Sequence, residues 1–409
     1  MNPHRPDTAQ AANGRWPGSQ VNWDAIVVGG RVAGASTALL LARAGLRVLV
    51  VDRARRGSDT VSTHALMRGG VLQLRRWGLL DRVAASGAPA VRRATFHYGT
   101  DSMAVSLKPY AGVDALYAPR RTVLDAILVD AGEEAGARFR FGPAVTDLAR
   151  DDTGRVVGAI LRDHGGATWT ERARLVVGAD GRGSVVAGRV DAPTIAAGAH
   201  AAAYAYGYWP AADLDGYHWY YGDALSGGAI PTNDGLACVF VGGPPAVLAK
   251  AARDRRPAAA HRGLLARLDG GLADLTAAPP QGAVRFFRGM PARLRRPYGP
   301  GWALVGDAGC WVDPLSTHGI TDALRDAELL AAAVVAGSAS EGRDAGIELA
   351  GYQAQRDRMA LPMQPIVDRL ASHEWDFAEA RRLLRGLSSV MADEVEAIRD
   401  FDPAPSRIA

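Results

Sequence analysis

The stretch DAIVVGGRVAG, Asp24 to Gly34, decides the fold. Ala25 to Val28 is a short apolar run suited to a buried strand, and Gly29, Gly30 and Gly34 form a tight turn. Ala35 to Ala44 is a small-residue, Leu-rich helix stopped by Gly45, and Val48 to Val51 is a second buried strand closing on Asp52. This is one β-α-β unit of a parallel sheet. A dinucleotide turn needs glycines for the sharp bend, for close approach of the backbone to a pyrophosphate, and for helix–strand packing. Gly29 and Gly34 fill the first and third roles. Arg31 occupies the position of the second, where its side chain could itself reach a phosphate oxygen. Asp52 lies 18 residues beyond Gly34, where an acid at a strand end hydrogen-bonds ribose hydroxyls.

Two further constellations follow. VVGADGRGS, Val176 to Ser184, and WALVGDAGCWVDP, Trp302 to Pro314, each read as a strand ending in an Asp-Gly or Gly-Asp turn. A carboxylate there can accept a hydrogen bond from a polyol, and the adjacent glycines let the backbone close on a ligand. Helices are expected from Gly70 to Trp77, from Thr122 to Ala135, and from about Gly319 through Val334. The stretch from Ile347 to Phe401 is helical in pattern, interrupted near Pro362 and Pro365. Between these parts, Ala199 to Gly243 is rich in Tyr, Trp, Val and Gly in short alternating runs, the pattern of an antiparallel sheet. Tyr204, Tyr206 and Tyr208 share one face of a strand, and Ala203, Ala205 and Gly207 share the other.

With these three motifs in this order, the chain resembles the para-hydroxybenzoate hydroxylase type of FAD-dependent oxidoreductase, the single-component flavoprotein monooxygenases, whose fold geranylgeranyl reductases share. The resemblance covers roughly Trp23 to Ala336. It implies an α/β protein in which a Rossmann-like FAD-binding domain of the glutathione reductase type (residues 21–88, 117–190 and 285–340) carries a mixed or antiparallel-sheet substrate domain (89–116 and 191–284). Helices from 341 to 409 would pack on the outside. The ADP half of FAD falls to Gly29, Gly30, Arg31, Ala33, Gly34, Asp52 and Arg53. Arg121 would reach the cofactor from its helix, Asp180 and Gly181 would lie on the cofactor side, and Gly306 and Asp307 would meet the ribityl chain. Pro314 would stand beside the flavin ring. Gly319 and Ile320 would open a helix whose N-terminal N–H groups favour the negative charge of the reduced ring.

The activity implied is oxygen insertion: NAD(P)H reduces the flavin, O2 is activated on it, and a sizeable, mostly apolar or aromatic organic molecule is hydroxylated or epoxidised, with secondary metabolism as a setting. Within the same class the alternative is reduction of a carbon–carbon double bond, or a two-electron oxidation. Outside it, the alternative is a flavin-binding protein without turnover. A flavin-dependent halogenase is not expected. Such enzymes need a lysine outside the FAD turn, and Lys108 and Lys250 are the only lysines. The W-x-W-x-I-P signature is missing as well.

His318, just before Gly319, and His64 are the candidate catalytic residues, since both fall in loops that should border the ring and a neutral imidazole can donate or accept there. Arg68 is a weaker candidate for contact. The tyrosine stripe is the candidate substrate wall, because a phenol offers an apolar face and an orienting hydroxyl. No metal site is expected, as His200, His218 and His261 lack partners at ligand spacing. A Ser-His-Asp hydrolase is excluded by the lack of a G-x-S-x-G elbow. The net charge of +4 in 409 residues, with arginine clusters free of interleaved aromatics, argues against a nucleic-acid partner. No charge-free apolar run is long enough to span a membrane. Residues 1–20 read as a disordered tail rather than a signal peptide, and two cysteines suit a reducing cytoplasm. The oligomeric state is left open.

Overall fold

The computed structural model describes residues 23–211, 213–222, 224–338 and 346–402; the expected tail at 1–20 lies outside the described residues. Its first sheet is built on five parallel strands in the order Trp302–Leu304, Thr168–Gly178, Trp23–Val28, Val48–Asp52 and Arg138–Phe141. Val28 lies beside Val51 and Gly178, and Gly178 beside Leu304. This register carries the Gly29 turn, Asp52, Asp180 and Gly306 to the carboxyl ends of adjacent strands, where open α/β sheets bind ligands. The antiparallel pair Ala144–Arg150 and Val156–Arg162 is attached along Thr168–Gly178.

The helix Val32–Arg43 is apolar on nearly every side because it is covered on nearly every side. It lies on the sheet and packs against Arg121–Glu134 and Gly319–Ser338. Leu39, Leu40 and Leu41 are all fully buried, each contributing about 1.5–3 kcal/mol of apolar transfer.

A second sheet has seven strands, in the order Arg285–Phe287, Ala203–Pro210, Leu236–Gly243, Leu225–Pro231, Tyr217–Gly222, Arg93–Tyr98 and Asp101–Ser106. Alternation along Ala203–Pro210 divides its two faces as period-2 patterning requires. Ala203 and Ala205 face a cluster with Leu248, Leu264 and Leu265 from the helices Pro245–Ala252 and Pro257–Leu268. Tyr204, Tyr206 and Tyr208 face the core shared with the nucleotide-type sheet.

Two strands fall across the boundaries drawn from sequence. Arg285–Phe287 pairs with Tyr204 to Tyr206, so it extends the second sheet rather than opening the last FAD segment. Thr194–Ala197 joins Arg293–Arg295 and Cys310–Trp311 in a small third sheet and does not enter the substrate sheet. Both strands are three or four residues long, too short for a period to show which sheet they serve.

The C-terminal helices Gly346–Ala360, Gln364–Ala371 and Phe377–Arg399 correct a third expectation. They do not merely coat the outside. Phe377–Arg399 packs on Arg68–Arg76 and drives Glu394 into the interior, where it is 2% exposed. Among the described residues, no helix is long and apolar enough to cross a membrane.

Candidate active site

The turn after the first strand has the shape a pyrophosphate needs. Gly29 has φ +102°, and a Cβ there would lie 2.4 Å from the Ala179 carbonyl oxygen. A Cβ on Gly34 would lie 1.8 Å from the Gly29 oxygen, so only glycine lets the helix come this close to the strand. The helix N-terminus carries no side-chain cap and no acid in its first turn. Its free N–H groups and positive dipole end are therefore available to an anion. Asp52 accepts from Gly30 N and Ala54 N, both at 2.7 Å, and stands at the mouth of the turn half-buried. Arg53 beside it is exposed.

Arg31 does not point along the turn. Its guanidinium donates to Ser58 O at 3.1 Å and Ser58 Oγ at 3.2 Å, and pairs with Asp125 at 3.4 Å. The same Asp125 takes Arg121 at 3.0 Å and 3.2 Å. Arg31 has φ −96°, so the backbone conformation here does not demand glycine.

Asp307 is the free acid of the site. Its carboxylate makes no hydrogen bond or ion pair among the described residues, and burial pushes its pKa up to about 6 although Arg121 and Arg182 pull it down. Gly306 holds the turn below it with φ +56°, and a Cβ there would come within 3.0 Å of the Ala33 Cβ. The first and third motifs are thus in contact. Asp180 is different. Its carboxylate is taken by Ser184 Oγ at 2.5 Å and Val185 N at 2.6 Å, so it braces the turn at Gly181 into the short helix Val185–Arg189.

A small cavity, part of it open to solvent, lies between the second sheet and the loop after Asp313. The sheet contributes Tyr204, Trp219, Tyr221 and Phe240, and the loop contributes Pro314, Leu315 and Thr317. Its lining carries hydroxyls but no ionisable acid or base other than the phenols, and burial raises both Tyr204 and Tyr221 above the ordinary phenol value. Tyr204 donates to Asp313 Oδ1 at 2.6 Å, and Asp313 also accepts from Ala202 N and Leu315 N. This ties the sheet to the loop. Thr317 holds φ +52°, strained for a β-branched residue.

The tyrosine stripe is divided. Only Tyr204 lines the cavity. Tyr206 is bound to the loop at Thr60 and Ser62, and Tyr208 meets His64 Nε2 at 2.5 Å with the Arg120 guanidinium 4.2 Å over its ring. His64 is buried with φ +64°. Burial, together with Arg121, Arg120 and Arg285, pushes its pKa down to about 3, so the imidazole is neutral. Its Nδ1 has no partner among the described residues.

His318 is placed differently from the sequence expectation. It does not line the cavity: its Nε2 bonds Glu394 of the C-terminal helix in full burial. Glu394 also takes Arg325 at 2.8 Å, and Arg325 pairs with Asp322 at 2.5 Å and Asp326 at 2.8 Å. Burial opposes a charge on His318, but Glu394 and Asp322 outweigh it and raise its pKa. His318, Asp322 and Glu394 have ligand atoms within 4.8 Å of one another, but Arg325 already supplies the cation among them. Gly319 is exposed and Ile320 is buried at the start of the following helix. Arg68 is occupied elsewhere, donating to Lys108 O at 2.8 Å.

Sequence reasoning missed Asp313, Glu394 and the second aromatic row. The row carried a signal, since Tyr217, Trp219 and Tyr221 alternate as the first stripe does.

The FAD-binding domain family matches this sequence over residues 22–363. The chain belongs to that family. Like its other members it is an FAD-dependent oxidoreductase, and the glycine turn, uncapped helix and free Asp307 fit the cofactor. Among its relatives, menaquinone reductase of Mycolicibacterium smegmatis is 26% identical, covering 78% of each chain. Digeranylgeranylglycerophospholipid reductase 1 of Methanococcoides burtonii is 27% identical over 77% of this chain and 74% of its own. Aklavinone 12-hydroxylase DnrF of Streptomyces peucetius is 32% identical, but over only 40% of this chain and 36% of its own. Among solved structures, PqsL of Pseudomonas aeruginosa, a probable FAD-dependent monooxygenase, superposes with a TM-score of 0.75 at 22% identity, over 90% of this chain and all of the other. The myxobacterial chondrochloren halogenase CndH superposes with a TM-score of 0.76 at 21% identity, over 95% and 99%. At such identities the likeness is one of fold.

Proposed function

We propose that this FAD-binding protein is a monooxygenase that uses NAD(P)H and O2 to hydroxylate or epoxidise a sizeable, mostly apolar or aromatic organic molecule. The observation that carries the reading is the cavity, with four aromatic side chains on one wall and Pro314 on the other. FAD, when bound, would supply the two-electron chemistry and the activation of O2. Gly29, Gly34 and Asp52 would hold its ADP half, Asp307 a ribityl hydroxyl, and Arg121 the linkage between them. Tyr204, Trp219, Tyr221 and Phe240 would clamp the substrate and keep water out, and Thr63, Ser226 and Thr317 would orient it. His64, neutral and buried, would offer Nδ1 as a fixed hydrogen-bonding point. The two free cysteines, both buried, suit a cytoplasmic protein.

Reduction of a double bond is the second reading, favoured because two relatives aligned along three-quarters of the chain are named reductases. Hydride addition to carbon must be completed by a proton, and the cavity lining offers only alcohols and phenols whose pKa burial has raised. That shortage favours oxygen insertion. Halogenation is disfavoured, since Lys108 and Lys250 are exposed and neither lines the cavity.

The test uses FAD-loaded enzyme with NADPH under 18O2, with 1-naphthol and geranylgeraniol as probes. Oxygen-18 in a naphthol product supports the monooxygenase. A geranylgeraniol product with two hydrogens added across a double bond, and no labelled product, transfers the case to the reductase. NADPH oxidation that neither probe changes refutes both.

A further inference from the structure

Ser226 is backed by His373, a buried imidazole that the proposed chemistry leaves unused. Ser226 lies on the strand Leu225–Pro231, is 3% exposed, and is one of the few polar side chains lining the cavity. Behind it, His373 comes from the turn between the helices Gln364–Ala371 and Phe377–Arg399, is also 3% exposed, and meets Ser226 Oγ through Nε2 at 3.2 Å. The other ring nitrogen, Nδ1, lies 3.2 Å from the Ala371 carbonyl. His373 has φ +56°, a conformation a non-glycine residue adopts at a cost, and Trp375 packs against its ring at 5.7 Å and against Tyr221 at 6.0 Å. The imidazole is therefore held in one place by a strained turn and an aromatic neighbour.

The proton positions follow. A carbonyl only accepts, so Nδ1 must carry the hydrogen that binds Ala371. Nε2 of the neutral ring is then a lone pair, and Ser226 must spend its only proton on it. What Ser226 turns toward the cavity is an acceptor. Burial lowers the His373 pKa to about 4, with the Ala371 carbonyl opposing, which keeps the ring neutral near pH 7 and this polarity fixed. The same value rules the pair out as a base for a phenol. A phenolic proton, with a pKa of about 10, would move uphill by roughly a million-fold.

We propose that Ser226, polarised by His373, is a hydrogen-bond acceptor that selects substrates carrying a donor, a phenolic O–H or an N–H, on an otherwise apolar aromatic frame. The inference rests on the cavity being the substrate site. Ser226 would touch the substrate; His373 is a positioning residue that acts through it. An ether or a bare hydrocarbon of the same shape would fill the cavity but leave the acceptor unanswered.

The experiment compares binding of 1-naphthol and 1-methoxynaphthalene to the FAD-loaded protein, read as perturbation of flavin absorbance. Wild type is expected to favour the naphthol by about 5- to 10-fold, the worth of one neutral hydrogen bond. The preference should collapse to under twofold in Ser226→Ala and in His373→Asn. Asparagine tolerates the left-handed backbone but lacks the reach of Nε2. Damage to folding would weaken both ligands together and leave their ratio unchanged, so the ratio is the readout. Equal binding by wild type overturns the inference while leaving the cavity reading intact. A preference that survives in both variants overturns it too, and one lost only in Ser226→Ala removes His373 from the assignment. If neither ligand perturbs the bound flavin, the cavity reading fails and the acceptor with it.

Discussion

Replacing Glu394 by Gln keeps the volume of the side chain and removes its charge from a cluster that is closed to water. Glu394 is bound by His318 and, at 2.8 Å, by Arg325. At an effective dielectric of about 20, the Arg325 contact is worth about 6 kcal/mol of direct attraction, before desolvation is deducted. The net cost of breaking a buried pair by deleting one member is about 3–5 kcal/mol. A chain of 409 residues unfolds with an entropy near 0.9 kcal/mol/K, so the variant should melt about 4–6 °C below wild type. The pH dependence is a second signature. The folded pKa of His318 is raised above 6.5, so its contribution is fully present below 6.5 and is lost as pH rises through the folded value. His64, His261 and His373 are pushed down to about 3, 4 and 4, so they titrate on the acid side, while burial raises the Cys238 and Cys310 thiols, whose own loss begins only above about pH 8. Glu394 itself, burial opposing but His318 and Arg325 prevailing, is lowered to about 2, and its contribution is lost only as pH falls toward that value. Thermal unfolding of the FAD-loaded protein from about pH 6.5 to 8 should show wild type losing stability with rising pH and Glu394→Gln losing markedly less. A variant that melts within 1 °C of wild type, or keeps the wild-type slope, refutes the reasoning.

Gly34→Ala must displace the Gly29 carbonyl that sits 1.8 Å from the new Cβ, so the purified protein should retain almost no FAD, measured by flavin absorbance per chain. Asp52→Ala should weaken FAD binding by about 1.5–3 kcal/mol, roughly 10- to 150-fold in Kd on reconstitution, as a charged hydrogen bond is lost. Tyr204→Ala should raise KM or uncouple NAD(P)H consumption from product, whereas Tyr208→Phe should spare KM and cost about 1–3 kcal/mol in thermal unfolding by leaving His64 Nε2 unpaired.

The fold was legible because its signals are local. The Asp24 to Gly34 turn and Asp52 sit within one β-α-β unit, and the parallel register then obliges Asp180 and Gly306 to arrive at the same edge. The tyrosine stripe was legible as a face, since period 2 fixes that much. Its division was not, because which phenol meets the cavity and which meets His64 depends on the loop at 60–64 crossing from the other sheet. His318 was misread for the same reason. Its loop does border the cavity, but its ring is turned by Glu394, 76 residues away and carried on a helix whose own pattern says only that one side is apolar. Sequence spacing reports what lies on a face; it does not report the partner that the face meets.

The position of Glu394 also sets an order of events. His318 stands in the loop between the last dinucleotide motif and its helix, and the carboxylate that neutralises it belongs to the last described helix. During synthesis the glycine turn, the first sheet and the whole aromatic sheet leave the ribosome before that carboxylate exists. Until it arrives, Arg325 has its two neighbouring aspartates, but His318 has only Asp322 to balance it, and the loop at Pro314 is held from the Tyr204 side alone. The ADP half of the cofactor site could therefore form on a nascent chain, while the flavin-ring end would wait for the helix Phe377–Arg399. A chain that stops short of residue 394 would keep every motif by which this family is recognised and still lack a finished pocket.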